Sequence, residues 1–327
     1  MSPKVTRRTF IQTSLMTSAS GALAMGSNAA NTPAQRTQKT DTGSKPSTPT
    51  MMGKIGDLEV SRLLIGGNLL TYGTHSRDLK YVSALVKHYN TQEKILETMA
   101  LAESHGVNTI VTHAPPAVTN LLRKYRYELG GEMQWIFNAN TPFRDNLDEY
   151  RKQVEELVEM GGEAVYIWGE QTDRLVEAGR MDLLAKAVGI IKELGVPSGV
   201  GAHALKSIKE CEKNGIETDF YVKTFHHHNY PTAPRPDEIT GPHAEVPGYW
   251  CANPEEVAEF MMNVEKPWIA FKVMAAGAIP PADAFQYAFD QGADHLLAGM
   301  FDFQVVEDVR IASEAVSNAN RTRAWMS

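Results

Sequence analysis

Residues 198–228 read SGVGAHALKSIKECEKNGIETDFYVKTFHHH, and they contain one complete unit of the pattern that decides the fold. A short apolar run over residues 198–203 is followed by apolar residues at helical spacing over 205–214. The pair Asn214-Gly215 is a helix stop, and a second apolar run begins at Asp219. This pattern predicts a parallel βαβ unit, in which a strand is followed by a helix that ends near glycine and then by a second strand.

The same unit recurs from residue 60 onward. The strand-like runs are residues 60–68, 108–113, 133–140, 164–170, 198–203, 219–227, 268–274 and 295–302. Helical patterns cover residues 92–105, 118–128, 147–160, 181–194, 205–214, 254–264, 282–291 and 305–316. Eight units over about 260 residues predict an α/β fold, a single (βα)8 TIM barrel spanning residues 51–327, with a small hairpin at 54–58 closing its floor. A doubly wound open sheet is the alternative, but no G-x-G-x-x-G motif follows the first strand.

Composition and charge narrow the class of protein. The chain has 327 residues, of which 43% are hydrophobic and 22% charged, as in an ordinary soluble globular protein. The 39 acidic residues outnumber the 32 lysines and arginines, for a formal net charge of −7. An acidic chain without a basic stripe argues against nucleic acid as a partner.

The N-terminus carries a pair of arginines followed by a mildly apolar run. Arg7 and Arg8 precede a run that ends in Ala22-Leu23-Ala24, an A-x-A-like cleavage site. Residues 1–24 resemble a twin-arginine (Tat) signal peptide, which implies the Tat machinery as a partner and export to the periplasm or beyond. The run is too short and too polar for a stable membrane span, and residues 25–50 have the composition of a disordered linker.

Polar residues lie where the predicted strands end, at the catalytic face of a TIM barrel. The candidate substrate-binding residues are Asn68, His113, Asn138, Asn140 and Trp168. The candidate ionisable residues are Glu170, His203, Lys223, His226, His227, His228, Lys272 and Asp302. Successive side chains of a strand point to opposite sides, so each predicted strand has one set of side chains against the helices and one set inside the barrel. The set predicted against the helices is Val165, Ile167, Val200, Ala202, Val222, Ile269, Phe271 and Val273. The set predicted inside the barrel is Tyr166, Trp168, Glu170, His203, Tyr221, Lys223, Phe225, Ala270 and Lys272.

Four of these residues form a candidate metal site. Glu170, His203, His227 and Asp302 end strands four, five, six and eight, and their oxygen and nitrogen donors suit Zn²⁺, Mn²⁺ or Fe²⁺. Which of the three consecutive histidines faces the site is left open. The placement resembles xylose-isomerase-like barrels, which implies metal-assisted proton abstraction from a polar, carbohydrate-like substrate by an isomerase or lyase. Glu170 and Asp302 are then ligands or bases, and Lys272 stabilises an enolate-like intermediate.

An ion pair between Glu170 and Lys223 or Lys272 is the non-metal alternative at the same place.

A second reading is Schiff-base chemistry. Residues 219–224, DFYVKT, resemble the D-F-x-K-T strand of deoxyribose-phosphate-aldolase-like barrels, with one residue extra. The resemblance implies that Lys223 forms an imine and that Lys272 on the next strand lowers its pKa.

A third reading comes from residues 54–68 and 102–108, which resemble the opening hairpin, the first strand and the entry to the second strand of the aldo-keto reductases. The family implies a TIM barrel that reduces carbonyl groups with NADP. Residues 111–116, VTHAPP, stand where that family has its Asp and Tyr, so we do not expect NADP as the cofactor. A barrel that binds a ligand without turnover is the remaining alternative.

Two connections are unusually long, residues 68–90 and 228–253. Both leave the predicted catalytic face, so we expect them to act as lids over the site.

The two cysteines, Cys211 and Cys251, are expected to be buried free thiols, and a disulfide between them is the alternative for an exported protein.

Overall fold

A computed structural model describes residues 51–68, 70–143 and 146–327, and the predicted signal peptide and linker lie outside these residues. Eight parallel strands close into a barrel in which neighbours along the chain pair with each other and the last strand pairs with the first. The strands are β3 (Leu63–Gly66), β4 (Thr109–Thr112), β5 (Gln134–Ala139), β6 (Ala164–Ile167), β7 (Ser198–Ala202), β8 (Phe220–Thr224), β9 (Trp268–Phe271) and β10 (His295–Ala298). Each of the eight predicted strand runs contains one of them, so the predicted (βα)8 fold is confirmed.

The predicted hairpin is also present. Strands β1 (Met52–Ile55) and β2 (Leu58–Ser61) pair antiparallel, and Gly56 takes a φ of 60° in the turn. The side chains of Ile55 and Val60 are fully buried and belong to the apolar cluster inside the barrel. The hairpin therefore closes the end of the barrel at which the parallel strands begin.

Ten α-helices are described around the barrel. They are α1 (Lys80–Tyr89), α2 (Gln92–Ser104), α3 (Pro116–Arg123), α4 (Asp148–Glu159), α5 (Gly169–Glu177), α6 (Met181–Glu193), α7 (Leu205–Lys213), α8 (Pro254–Met261), α9 (Pro281–Asp290) and α10 (Asp302–Asn318). Helix α3 continues into a π-helical turn (Lys124–Glu128), and short 3₁₀ turns occur at Pro236–Glu238 and Ala275–Gly277. The sequence patterns did not indicate α1 or α5, and the start of α5 at Gly169 changes the position of Glu170.

The apolar core has two layers, one inside the barrel and one between the strands and the helices. The residues found in each layer show that some of the predicted side-chain directions were wrong. Val222 and Ile269 fill the inside of the barrel, with Phe271 packed against them, whereas Tyr221 and Ala270 belong to the layer between strands and helices. The predicted directions for β8 and β9 were therefore wrong by one residue. The directions predicted for β6 and β7 are confirmed, because Val165, Ile167, Val200 and Ala202 all pack in the outer layer.

Glycine in β7 has a steric reason. A Cβ atom on Gly199 would stand 2.4 Å from the Phe220 ring, which fills the barrel interior beside it. The inner wall at β7 is thus built from the side chain of the neighbouring strand.

Cys211 and Cys251 are both free and buried, as expected. Among the residues that the structure describes, no helix is both long enough and apolar enough to cross a membrane.

Candidate active site

A cavity of about 880 Å³ opens at the end of the barrel where the parallel strands finish. Eight of the predicted site residues line it: Asn68, His113, Asn138, Asn140, Trp168, Glu170, His203 and Lys272. Lys223, His227 and Asp302 do not line it. The volume is within the range of small-molecule sites, which is roughly 300–1,000 Å³.

The most organised polar group at the cavity is a pair that the sequence did not indicate, Asp173 and His203. The Asp173 carboxylate accepts hydrogen bonds from the backbone N–H of His203 (3.0 Å), the His203 ring Nδ1 (3.1 Å), the backbone N–H of Ala204 (3.3 Å) and the Ser207 hydroxyl (2.6 Å). Burial raises the pKa of Asp173, but the bonds from His203 and Ser207 outweigh it and leave the pKa below its usual value. Asp173 is therefore an ionised, fixed acceptor.

This carboxylate orients the His203 ring. Because the ionised Asp173 accepts from Nδ1, the ring proton lies on Nδ1 and Nε2 keeps its lone pair. Burial lowers the pKa of His203 to about 4, the bond to Asp173 raises it in part, and the Lys272 ammonium lowers it further. The centre of the ring lies 4.4 Å from that of the His243 ring, which belongs to the long connection after β8. His203 is thus a neutral imidazole at the wall of the cavity, with the electronic form of a general base.

Lys272 reaches the same cavity by a break in the strand pattern. Phe271 ends β9 with its ring toward the barrel interior, and Lys272 follows in a left-handed conformation with a φ of 58°. This turn lets two successive side chains face the cavity. The Nζ atom lies 5.7 Å from the centre of the Trp250 ring. Burial lowers the pKa of Lys272 to about 8, and the carboxylates of Glu245 and Glu170 act in the opposite direction.

Lys223 is placed differently from the prediction. Its side chain is 0% exposed and lies on the outer side of β8, on the same side as Tyr221 and Phe225. The ammonium donates to the Thr224 carbonyl (2.8 Å) and the Thr224 hydroxyl (3.1 Å). Lys223 does not line the cavity, so the structure gives no support to its predicted role as the imine-forming lysine, which stays a prediction.

The three consecutive histidines hold the segment that follows β8. His226 Nδ1 donates to the His227 carbonyl (2.9 Å), and its Nε2 accepts from the backbone N–H of Trp250 (2.9 Å). His228 Nε2 donates to the Cys251 carbonyl (2.7 Å). The His227 ring lies 3.4 Å from Asp283 at the start of α9. These contacts anchor the long connection and leave none of the three histidines on the cavity wall.

The four predicted metal ligands do not converge. Glu170 lies in the first turn of α5 and pairs with Arg174 (3.1 Å), while Asp302 begins α10 and is bound by Tyr89 (2.6 Å) and Lys94 (3.0 Å). The parts of the chain described here contain no group of three His, Cys, Asp or Glu side chains that could hold an ion. The physical reason is that both carboxylates belong to helices and not to strand ends. The four residues predicted to bind Zn²⁺, Mn²⁺ or Fe²⁺ therefore do not form a metal site among the described residues.

The predicted substrate-binding residues all face the cavity, with different freedom to bind. The amide nitrogen of Asn138 donates to the Tyr166 hydroxyl (3.4 Å), and its Oδ1 is buried without a hydrogen-bond partner among the described residues. Asn140 is held by Gln153, which donates to the Asn140 side-chain oxygen (2.9 Å). His113 is half-buried, which lowers its pKa. An unpaired buried oxygen such as Asn138 Oδ1 is a ready acceptor for a ligand hydroxyl.

The two long connections meet beside the cavity. His75 Nδ1, in the connection after β3, lies 2.5 Å from Glu245 Oε1, in the connection after β8. Trp250 Nε1 donates to the same Glu245 oxygen (3.4 Å), and the His75 and Trp250 rings are 5.8 Å apart. His75 and Trp250 both line the cavity, so the two segments together build part of its wall.

Asp173, Glu245 and His75 were absent from the predicted site. Asp173 lies in α5, which the sequence patterns did not indicate, so its position beside His203 had no signal in the sequence. Glu245 and His75 come from irregular segments, where no periodicity fixes a direction.

Comparisons with known proteins agree with the fold. A structure from Pseudomonas aeruginosa described as a provisional aldo-keto reductase matches with a TM-score of 0.56 and 18% identity, covering 81% of this chain and 95% of that one. A second structure described in the same way, from the same organism, gives 0.55 and 18% over 81% and 96%. A mandelate oxidase gives 0.48 and 11% over 84% and 77%, too low to support an argument. No known family profile and no curated protein sequence matches. At these identities the likeness shows the TIM-barrel fold and nothing about the reaction.

Proposed function

We propose that this chain is a TIM-barrel enzyme of the isomerase or lyase type, which removes a proton next to a carbonyl or hydroxyl group of a polar, carbohydrate-like small molecule. One observation carries the proposal: His203, whose ring is held by the buried Asp173 carboxylate, lines the same cavity as Lys272. A neutral imidazole held by a carboxylate is a general base, and an ammonium beside it favours developing negative charge.

The residues divide the reaction as follows. His203 Nε2 accepts the proton from the carbon, and Asp173 stabilises the imidazolium that forms. The electrons of the broken C–H bond move to the adjacent carbonyl oxygen, whose charge the Lys272 ammonium stabilises. In isomerisation, the hydroxyl proton of the enediolate passes to the former carbonyl oxygen, the imidazolium gives its proton to the former carbonyl carbon, and the neighbouring oxygen becomes the new carbonyl. In elimination, the oxyanion re-forms the carbonyl, the bond from the next carbon to its hydroxyl breaks, and the imidazolium protonates that hydroxyl, which leaves as water. No step requires NADP or a metal ion.

The test is exchange of substrate protons with solvent. The full chain is incubated in D₂O with a panel of aldoses, ketoses and sugar acids, and ¹H NMR follows the loss of signals next to the carbonyl group. We expect exchange with at least one compound, and we expect His203→Gln to abolish it. The control is His105→Gln, because His105 is exposed and bonds only to its own helix end at Leu101 and Ser104. Exchange that persists in His203→Gln would disprove the role of this base.

Schiff-base chemistry at Lys272 is the second candidate. Burial beside the Trp250 and Phe271 rings lowers the pKa of this amine to about 8, which increases the neutral, nucleophilic fraction. Borohydride treatment with glycolaldehyde or pyruvate would trap an adduct, which peptide mass spectrometry locates. An adduct on Lys272 that is lost in Lys272→Met supports this candidate, and adducts only on exposed lysines exclude it.

Export is a separate proposal, supported by the arginine pair at residues 7 and 8. The Tat receptor reads this pair, so replacing both with lysine should retain the precursor in the cytoplasm. Fractionation of cells that carry the full chain measures the result, and normal secretion of the double variant would contradict the proposal.

A further inference from the structure

Among the described residues, Lys272 supplies the ammonium group of the cavity, and two carboxylates act on it. Among the described residues that line the cavity, Lys272 and Glu170 are the ones with a full formal charge at neutral pH. Glu245 stands beside them, bonded to the lining residues His75 and Trp250. Both carboxylates stabilise the ammonium form of Lys272. An anionic ligand would therefore meet Glu245 and Glu170, the second of which also pairs with Arg174, and a lysine whose charge these two carboxylates partly offset at a distance.

The helix N-termini at the same end of the barrel are also unsuited to anions. Free N–H groups and the helix dipole make a helix N-terminus a common binding site for phosphate and carboxylate. In five of these helices the first turn contains a proline, which lacks the N–H, or an acidic residue, which neutralises the dipole, and at α7 the Asp173 carboxylate already accepts from the backbone N–H of Ala204. The prolines and acidic residues are Pro116 in α3, Glu170 in α5, Pro254, Glu255 and Glu256 in α8, Pro281 and Asp283 in α9, and Asp302 in α10.

The remaining polar groups of the cavity are uncharged. Asn68 and Asn138 offer amide groups, and Asn138 Oδ1 is a buried acceptor with no partner among the described residues. Trp168 and Trp250 supply aromatic walls, which suit the apolar face of a sugar ring. Hydroxyl groups on one side of a ligand and C–H groups on the other match this lining.

We propose that the cavity selects an uncharged polyhydroxy carbonyl compound, an unphosphorylated sugar, and discriminates against phosphorylated and carboxylate sugars. The inference rests on the same cavity as the proposed function and makes it more specific. It concerns binding, so it is tested without turnover.

The experiment compares matched ligands on the full chain. Neutral aldoses and ketoses are each paired with their phosphate ester and their uronic acid, and ligand-observed NMR measures the dissociation constants. We expect at least one neutral sugar to bind about tenfold or more tightly than both of its anionic partners. Equal or tighter binding of the anions, or no binding by any neutral sugar, would overturn the inference. Selective binding without any proton exchange would contradict the proposed function alone.

A pair of variants tests the cause of the selectivity. Glu245→Gln removes a carboxylate beside Lys272, so the preference for the neutral sugar should shrink at least about threefold. Glu59→Gln makes the same charge change on an exposed residue of the hairpin that closes the other end of the barrel, and it should leave the preference unchanged. An unchanged preference in Glu245→Gln would show that the carboxylates do not determine the selectivity.

Discussion

The pH dependence of the proposed reaction follows from the pKa values of two groups. Burial lowers the pKa of His203 to about 4, and burial lowers that of Lys272 to about 8. His203 must be neutral to accept a proton, so activity should be lost as pH falls through about 4. Lys272 must be protonated to stabilise the oxyanion, so activity should be lost as pH rises through about 8. We expect a bell-shaped rate profile with a broad maximum between these values.

Two variants test which residue causes the loss of activity at low pH, the acidic limb of the rate profile, and which causes the loss at high pH, the basic limb. Asp173→Asn removes the charge and the hydrogen bond that raise the pKa of His203, so the acidic limb should move to lower pH. The same change removes the group that stabilises the imidazolium, and we expect kcat to fall by roughly 100-fold or more. Lys272→Arg keeps a positive charge at all accessible pH values, so the basic limb should disappear.

The assay is the initial rate of deuterium incorporation from D₂O between about pH 3.5 and 10. Circular dichroism at each pH separates loss of activity from unfolding. An acidic limb near the usual histidine value of about 6.5 would show that the base is not the buried His203. A rate that rises through pH 8 would refute the role of the ammonium and favour Lys272 as a neutral amine nucleophile.

Three further outcomes can be measured. Asp308 is 3% exposed, and burial raises the pKa of its carboxyl group from 3.8 to about 6. The folded state therefore binds this proton more tightly than the unfolded state does, and the stability of the folded protein falls as pH rises through about 6. Asp308→Asn should therefore raise the free energy of unfolding by up to about 3 kcal/mol at pH 8, and not below about pH 4, in urea titrations. Arg323→Met breaks a buried pair with Asp294 (2.6 Å) and should cost roughly 3–5 kcal/mol in the same titrations, whereas Arg235→Met, at an exposed pair, should change stability by less than about 1 kcal/mol. Incubation with EDTA should leave proton exchange and thermal stability unchanged, because the predicted metal ligands bind other groups; a loss restored by one divalent ion would contradict this.

The number and order of the strands could be predicted because each unit carries its own signals. An apolar run, an amphipathic helix and a terminal glycine are local features, and eight repeats leave few folds of this size. The position of the site followed from the rule that parallel strands end at one face, and eight predicted residues do line the cavity.

The side-chain directions in β8 and β9 could not be predicted from alternation. Strands of a parallel barrel are buried on both sides, so their inner and outer faces are equally apolar. Val222 and Ile269 fill the interior as readily as they would pack on helices, and the sequence does not distinguish the two. The direction of the Lys272 side chain depends on a left-handed backbone conformation, which lysine rarely adopts. No local sequence motif predicts this conformation.

The two ends of the barrel differ in how their buried charged side chains are paired with charges of opposite sign. At the closed end, Asp294 is bound by both Arg321 (3.2 Å) and Arg323 (2.6 Å), and Arg62 lies over the Trp325 ring at 3.8 Å. This pairing serves stability, because the buried Asp294 carboxylate has two arginine partners, although Arg323 Nε and His295 Nε2 at the same end are buried without a hydrogen-bond partner among the described residues.

At the open end the arrangement is the reverse. Within the described residues, the Lys272 ammonium contacts aromatic rings and has no carboxylate within ion-pair distance, and Asn138 Oδ1 has no partner. Left-handed angles at Lys272, Ala275 and Ala276 store backbone strain in the same segment. An ammonium without an ion-pair partner and backbone strain both cost free energy, so placing Lys272 and this strained segment at the cavity gains nothing in stability. A ligand that accepts from Lys272 and donates to Asn138 would supply the missing partners, and this is the physical reason to regard the cavity as a site of chemistry.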